Sequence, residues 1–228
     1  MILIKDLSIS YGKDKKVIQE LNLSFQNDCI HGIVGLNGSG KTTLLHCLFG
    51  LLKKDEGVIL FEGRKISKKD MAYLPTENFF YSRITAREYL AIFKNDSFDL
   101  EKWNSLFLLP LDEVIDNFST GMKKKLAFLS LLKTDKPIMI LDEPFNGLDL
   151  ETSRIIRSVL LNLKEKGKTI IVTSHILETL TNMCDYIHYL HEGNIEQSRA
   201  KDEFDDLQNE IFSSIEDKNK GLIDSLLK

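Results

Sequence analysis

The run Gly35-Leu-Asn-Gly-Ser-Gly-Lys-Thr-Thr43 sets three glycines ahead of a lysine and two threonines. Glycines at 35, 38 and 40 let the backbone curl around a small anion where a Cβ would clash. The N–H groups exposed in this way form a nest for phosphate oxygens, and a helix starting near Lys41 adds the positive end of its dipole. Asn37 and Ser39 belong to the same loop. Lys41 is then placed for the outer phosphates of a polyphosphate chain, the Thr42 hydroxyl for a divalent cation such as Mg²⁺, and Thr43 for another phosphate.

A second site follows the apolar run Ile138-Met-Ile-Leu141, which ends in Asp142-Glu143. Two acids at the C-terminal end of a buried strand stand where α/β folds bind ligands. Successive strand residues point to opposite faces, so the two acids need not share a task. Asp142 suits a cation, directly or through water, and Glu143 suits the orientation of an attacking water. The plainer alternative is a pair of solvated acids at a strand end.

Asn117-Phe-Ser-Thr-Gly-Met122 precedes a helical pattern. Ser119 can cap that helix, and a hydroxyl with Gly121 at a helix start can also face an anion. The two roles are compatible if another molecule brings the anion.

Strands and helices must position these groups. Leu21, Leu23 and Phe25 alternate with polar residues, and 29–34, 58–61, 71–74, 137–141 and 168–173 read as further strands. The patterns at 41–52, 151–166 and 176–182 are helical, and 185–190 and 194–197 form a hairpin across Glu192-Gly193. Between 76 and 136 the pattern is mainly helical, at 85–93, 100–108 and 122–132. The expected class is therefore α/β: a mostly parallel sheet with flanking helices, an N-terminal antiparallel β part and a helical insert. One domain is expected, with a core from 1–75 and 137–198, a helical subdomain at 76–136 and a tail at 199–228. In the tail Phe204, Leu207, Ile211 and Phe212 have weak helical spacing, and a solvated helix is the expectation.

The 228 residues are 43% hydrophobic with a net charge of −4, which provides one sizeable core and no basic field for nucleic acid. Cys29, Cys47 and Cys184 are odd in number and far apart, as expected of free thiols in a reducing compartment. The longest apolar stretch, 44–52, is interrupted by His46 and Gly50 and falls well short of the roughly 20 residues that span a bilayer. The start lacks the basic segment and cleavage site of a secretory leader. His188 and His191 have no third ligand nearby in sequence, which argues against a metal.

In order along the chain these motifs resemble the ATP-binding subunits of ABC transporters, over about residues 1–198. Residues 35–43 match Walker A, and 138–143 match Walker B with its catalytic glutamate. Residues 118–122 resemble the signature motif in the Ser-Thr-Gly-Met form of efflux-type subunits. Asn146-Gly-Leu-Asp149 resembles the D-loop, although Asp149 is also an evident helix cap, and Ser174-His175 matches the switch histidine. Tyr11 sits where the family stacks an aromatic ring on adenine; the plainer alternative is an ordinary strand aromatic. The resemblance departs after Tyr73-Leu-Pro75, where Thr76-Glu77 replaces the usual glutamine, so neither is assigned that role.

The resemblance implies a P-loop ATPase that uses ATP and Mg²⁺. Catalytic roles fall to Lys41, Glu143 and His175, and metal ligation to Thr42 and Asp142. Nucleotide contacts fall to Tyr11, 37–43 and, from a second copy, Ser119 and Gly121. It implies a homodimer or a pair with a related subunit, attached to transmembrane permease chains on the cytoplasmic face of the membrane. The S-T-G-M signature favours export. A soluble ABC ATPase acting on DNA or ribosomes is the alternative, but the long coiled coil or fused second half usual in such proteins is missing between Lys41 and Ser119. A nucleotide-binding regulator with little turnover is the other.

Overall fold

The computed structural model describes residues 1–12 and 15–213. Its first layer is an antiparallel sheet of β1 (Ile2–Tyr11), β2 (Lys15–Phe25), β4 (Glu56–Phe61) and β5 (Arg64–Lys65), in the order β2-β1-β4-β5. Between them in sequence lie β3 (Ile30–Val34) and helix α1 (Lys41–Phe49).

The second sheet contains β3, β6 (Met71–Leu74), β7 (Ile138–Leu141), β8 (Thr169–Ser174), β9 (Tyr186–His191) and β10 (Asn194–Ala200). Its order is β10-β9-β3-β8-β7-β6; all neighbours run parallel except β10, which returns from β9 as a hairpin. Every residue of β3, β7 and β8 is buried. That follows from their largely apolar sequence, unbroken in β7, because a sheet covered on both faces needs apolar side chains on both.

The alternation of β7 shows how the layers are built. Ile138 and Ile140 pack with α1 and the antiparallel sheet, while Met139 and Leu141 pack on the opposite side against the remaining helices. In β8, Ile171 joins the first core and Ile170 and Val172 the second. The same alternation directs the next residues, Asp142 and Thr173, towards α1.

The helices on the second face are α2 (Ala86–Ala91), α3 (Leu100–Asn104), α4 (Thr120–Thr134), α5 (Leu150–Glu165) and α6 (Leu177–Thr181). Thr85 and Glu88 form a reciprocal capping box at the start of α2. Both α2 and α3 are shorter than the periodicity predicts. For α3 the cause is local: the Asn104 side chain exchanges hydrogen bonds of 2.9 and 3.0 Å with the backbone of Leu109, and Leu108 turns to φ +52° before Pro110. A side-chain amide that satisfies backbone groups competes with helix continuation, and proline disfavours it further.

The expectation of a solvated tail helix is corrected. Residues 204–213 are helical, but Phe204, Leu207 and Ile211 are buried and belong to the second core. Their spacing places all three on one face, and that face has a partner.

Candidate functional site

The phosphate loop leaves β3 at Val34 and enters α1 at Lys41. Gly40 caps the helix at φ +109° and Gly38 stands at φ +83°. Gly35 is required for another reason: a methyl group there would lie 2.3 Å from the Leu190 carbonyl oxygen and 2.6 Å from Ser39 Oγ. A methyl on Gly38 would meet nothing within 4 Å, so this turn borders open space. Ser39 Oγ is buried without a hydrogen-bond partner. An orphaned hydroxyl in a curled loop with open space beside it fits a phosphate oxygen.

Lys41 is 7% exposed, and its Nζ donates to the carbonyls of Gly35 (2.7 Å) and Leu36 (3.2 Å) and lies 3.9 Å from Glu143 Oε1. Burial pulls its pKa below the usual lysine value; the negative charges of Glu143 and Asp142 oppose that shift.

Asp142 is almost wholly buried at the end of β7. The Thr42 hydroxyl donates to its Oδ2 at 2.8 Å and the Thr173 hydroxyl to its Oδ1 at 2.6 Å. Thr42 and Asp142 therefore present a hydroxyl oxygen and a carboxylate oxygen side by side, the hard donors that Mg²⁺ prefers. Glu143 breaks away from the strand at φ +51°, and its backbone N–H donates to Thr173 Oγ1 at 2.9 Å. His175 Nδ1 lies 2.9 Å from Glu143 Oε2. An ionised carboxylate only accepts, so Nδ1 carries the hydrogen in this pairing.

Lys41, Thr42, Glu143 and His175 line one cleft of about 460 Å³ together with Tyr11, Asn37 and Asn146. Tyr11 is 48% exposed at the end of β1, with its hydroxyl 3.4 Å from Thr43 Oγ1. Thr76 lines the cleft and donates to the Asp142 carbonyl at 3.3 Å, whereas Glu77 is exposed and does not line it. Ser119 and Gly121 do not line it either. Ser119 is exposed and caps α4 by accepting from the Met122 N–H at 3.2 Å. Asp149 caps α5 through the Thr152 N–H at 2.7 Å. From α4, Lys124 reaches the Asn146 carbonyl and so joins the signature helix to the loop after Glu143.

Sequence reasoning passed over Thr173. Its one available signal was a polar residue at the end of an otherwise apolar, buried strand. His188 is buried and hydrogen-bonded to His31 and Ser198. Among the described residues no group of three His, Cys, Asp or Glu side chains could hold a metal ion.

A phosphate loop between a parallel strand and a helix, with two acids at the tip of the neighbouring strand but one, defines a P-loop nucleoside triphosphatase. Residues 18–146 match the family described as ABC transporter. The chain is 30% identical to the lantibiotic transport ATP-binding protein SrtF of Streptococcus pyogenes, over 94% of its own length and 96% of that protein. A solved ATP-binding subunit of an ABC transporter superposes with a TM-score of 0.83 at 26% identity, covering 92% of this chain and 93% of the other. A dimeric ATP-binding cassette bound to ADP and Pi shares the fold at a TM-score of 0.78 and 22% identity, covering 88% and 99%. The chain belongs to the ABC transporter family, as an ATP-binding and ATP-hydrolysing subunit. No helix among the described residues is long and apolar enough to cross a membrane.

Proposed function

We propose that the chain hydrolyses Mg-ATP between two paired copies and thereby drives a membrane permease, in the direction of export. The observation that carries this reading is the convergence of Lys41, Thr42, Glu143 and His175 on one cleft, with the buried Asp142 hydrogen-bonded to Thr42 behind it. The phosphate loop binds the triphosphate, with Lys41 on its outer phosphates and Tyr11 beside the base. Thr42 and Asp142 would hold Mg²⁺, which when bound neutralises phosphate charge. Glu143 orients the attacking water, and His175 holds the Glu143 carboxylate in place.

One copy leaves the outer phosphate incompletely covered. At the start of α4 Ser119 is exposed and Gly121 half-buried, and both lie away from the cleft of their own chain. They are free to complete the site of a second copy, where a helix N-terminus and a hydroxyl stabilise negative charge. SrtF, a lantibiotic transport protein, supports a transport role, and the dimeric cassette bound to ADP and Pi supports pairing. Thr76 takes the place of the family's glutamine beside the acids. The permease places the chain on the cytoplasmic face of the membrane, with the part of the helical insert near residues 76–110 meeting it.

The test uses Glu143→Gln. This variant should bind ATP, lose about a hundredfold or more of its turnover, and form an ATP-dependent dimer by light scattering, with its permease supplied where needed. Lys41→Ala should neither hydrolyse nor dimerise. Normal turnover by either variant would refute the assignment. Purification of the tagged chain from native membranes should bring an integral membrane partner with it.

A further inference from the structure

We propose that Thr173 is a positioning residue for hydrolysis, whose single hydroxyl sets the two acids after β7 in their separate orientations. The inference rests on the reading of Asp142 and Glu143 given above.

The register explains why residue 173 does this. Strands β7 and β8 pair in parallel as far as Leu141 and Val172, which makes Asp142 and Thr173 the next neighbours, both turned towards α1. β8 continues to Ser174, but β7 ends at Leu141. Glu143 leaves the sheet at φ +51°, and the Thr173 hydroxyl takes up its N–H. The positive φ is costly for a non-glycine residue and persists only where its surroundings fix it.

The direction of each hydrogen bond follows from the donors available. The Glu143 N–H can only donate, so Thr173 Oγ1 accepts there at 2.9 Å. The one hydroxyl proton is then given to Asp142 Oδ1, at 2.6 Å. Asp142 is consequently gripped by two hydroxyls, Thr173 on Oδ1 and Thr42 on Oδ2. This fixes the plane of the carboxylate and turns Oδ2 to the edge where Thr42 offers its own oxygen. The same oxygen atom of Thr173 sets where the Glu143 backbone turns, and hence where its side chain meets His175. Thr173 is fully buried, so removing the hydroxyl takes a buried partner from both the Glu143 N–H and Asp142 Oδ1.

Thr173→Val keeps the shape and removes the hydroxyl; Thr173→Ser keeps the hydroxyl and removes a methyl. Thr173→Ala is a second deletion should valine prevent folding. All are compared with the wild type by circular dichroism, by binding of a fluorescent ATP analogue in EDTA, by Mg²⁺ titration of that binding, and by kcat and KM. The valine variant should bind nucleotide in EDTA as the wild type does and need several-fold more Mg²⁺. Its kcat should fall by about a hundredfold, the scale of a misplaced catalytic group, with little change in KM. Serine should restore both Mg²⁺ response and kcat to near wild type. A folded valine or alanine variant with the wild-type Mg²⁺ response and kcat overturns the proposal, as does a serine variant no better than valine. If the wild type bound but did not hydrolyse ATP, the hydrolytic reading would fail on its own, while the Mg²⁺ titration would still test Thr173.

Discussion

The hydroxyl of Thr42 donates to Asp142 Oδ2 at 2.8 Å across one hundred residues of sequence. One residue lies in the first turn of α1 and the other directly follows β7; they meet because both lie on the same face of the parallel sheet. Asp142→Asn keeps the size and removes the charge. We expect nucleotide binding in EDTA to persist and Mg²⁺-dependent turnover to fall by about a hundredfold or more. Mg²⁺ titrations of binding and activity check this.

Gly35 and Gly38 should respond differently to alanine. At Gly35 the new methyl meets the Leu190 backbone oxygen at 2.3 Å, so β9 or the loop must shift. At Gly38 the space is open and only the positive φ opposes the change. Strain of that second kind costs about 1–2 kcal/mol; Gly35→Ala should cost more and abolish nucleotide binding. Thermal melts with and without ATP distinguish the two.

A buried histidine pair predicts loss of stability in mild acid. His31 Nε2 faces the Gln26 carbonyl at 3.0 Å, which only accepts, so Nε2 carries the hydrogen and Nδ1 is bare. His188 Nε2 must then donate to His31 Nδ1 at 3.2 Å, leaving His188 Nδ1 to accept from Ser198 at 2.8 Å. Burial lowers His31 to about 4 and His188 to about 3, with the neighbouring imidazole a further cause for His188. Above about pH 6.5, the free-histidine pKa, both states are neutral and the stability is fully present. As the pH falls below that value the unfolded chain takes up protons that the folded chain refuses. Stability is lost at up to about 1.4 kcal/mol per pH unit per histidine until the folded values are reached. Urea melts from pH 7 to pH 5 should show this slope, and His188→Gln should halve it.

The tail helix contributes to the core. Leu207 is fully buried, so Leu207→Ala should destabilise the protein by about 2–5 kcal/mol. Phe212, 41% exposed on the same helix, should tolerate alanine with a much smaller loss. Denaturant midpoints decide between a packed and a solvated helix.

Ser119→Ala tests both roles of that hydroxyl. Loss of the α4 cap should cost about 1 kcal/mol. Its role in a partner's site predicts a far larger effect on turnover than such a small destabilisation explains. Mixing this variant with Lys41→Ala should restore activity at one site of the mixed dimer, because each supplies what the other lacks.

The chain's own order of residues determined the chemistry that could be found: a phosphate loop needs glycines and a lysine within eight positions, and a buried strand needs an unbroken apolar run before its acids. Such features are local, and periodicity or steric demand writes them directly into the sequence. Tertiary structure alone decided the rest. The grip of Thr173 on Asp142 depends on two strands lying side by side in one register, and the presence of Thr76 rather than Glu77 in the cleft depends on which way the chain turns after β6. Burial of Leu207 needs a core built by distant segments, and the pairing of His31 with His188 needs β3 and β9 to be neighbours. None of these is set by spacing along the chain, since each arises where segments far apart in sequence must satisfy one another's hydrogen bonds or exclude one another's water.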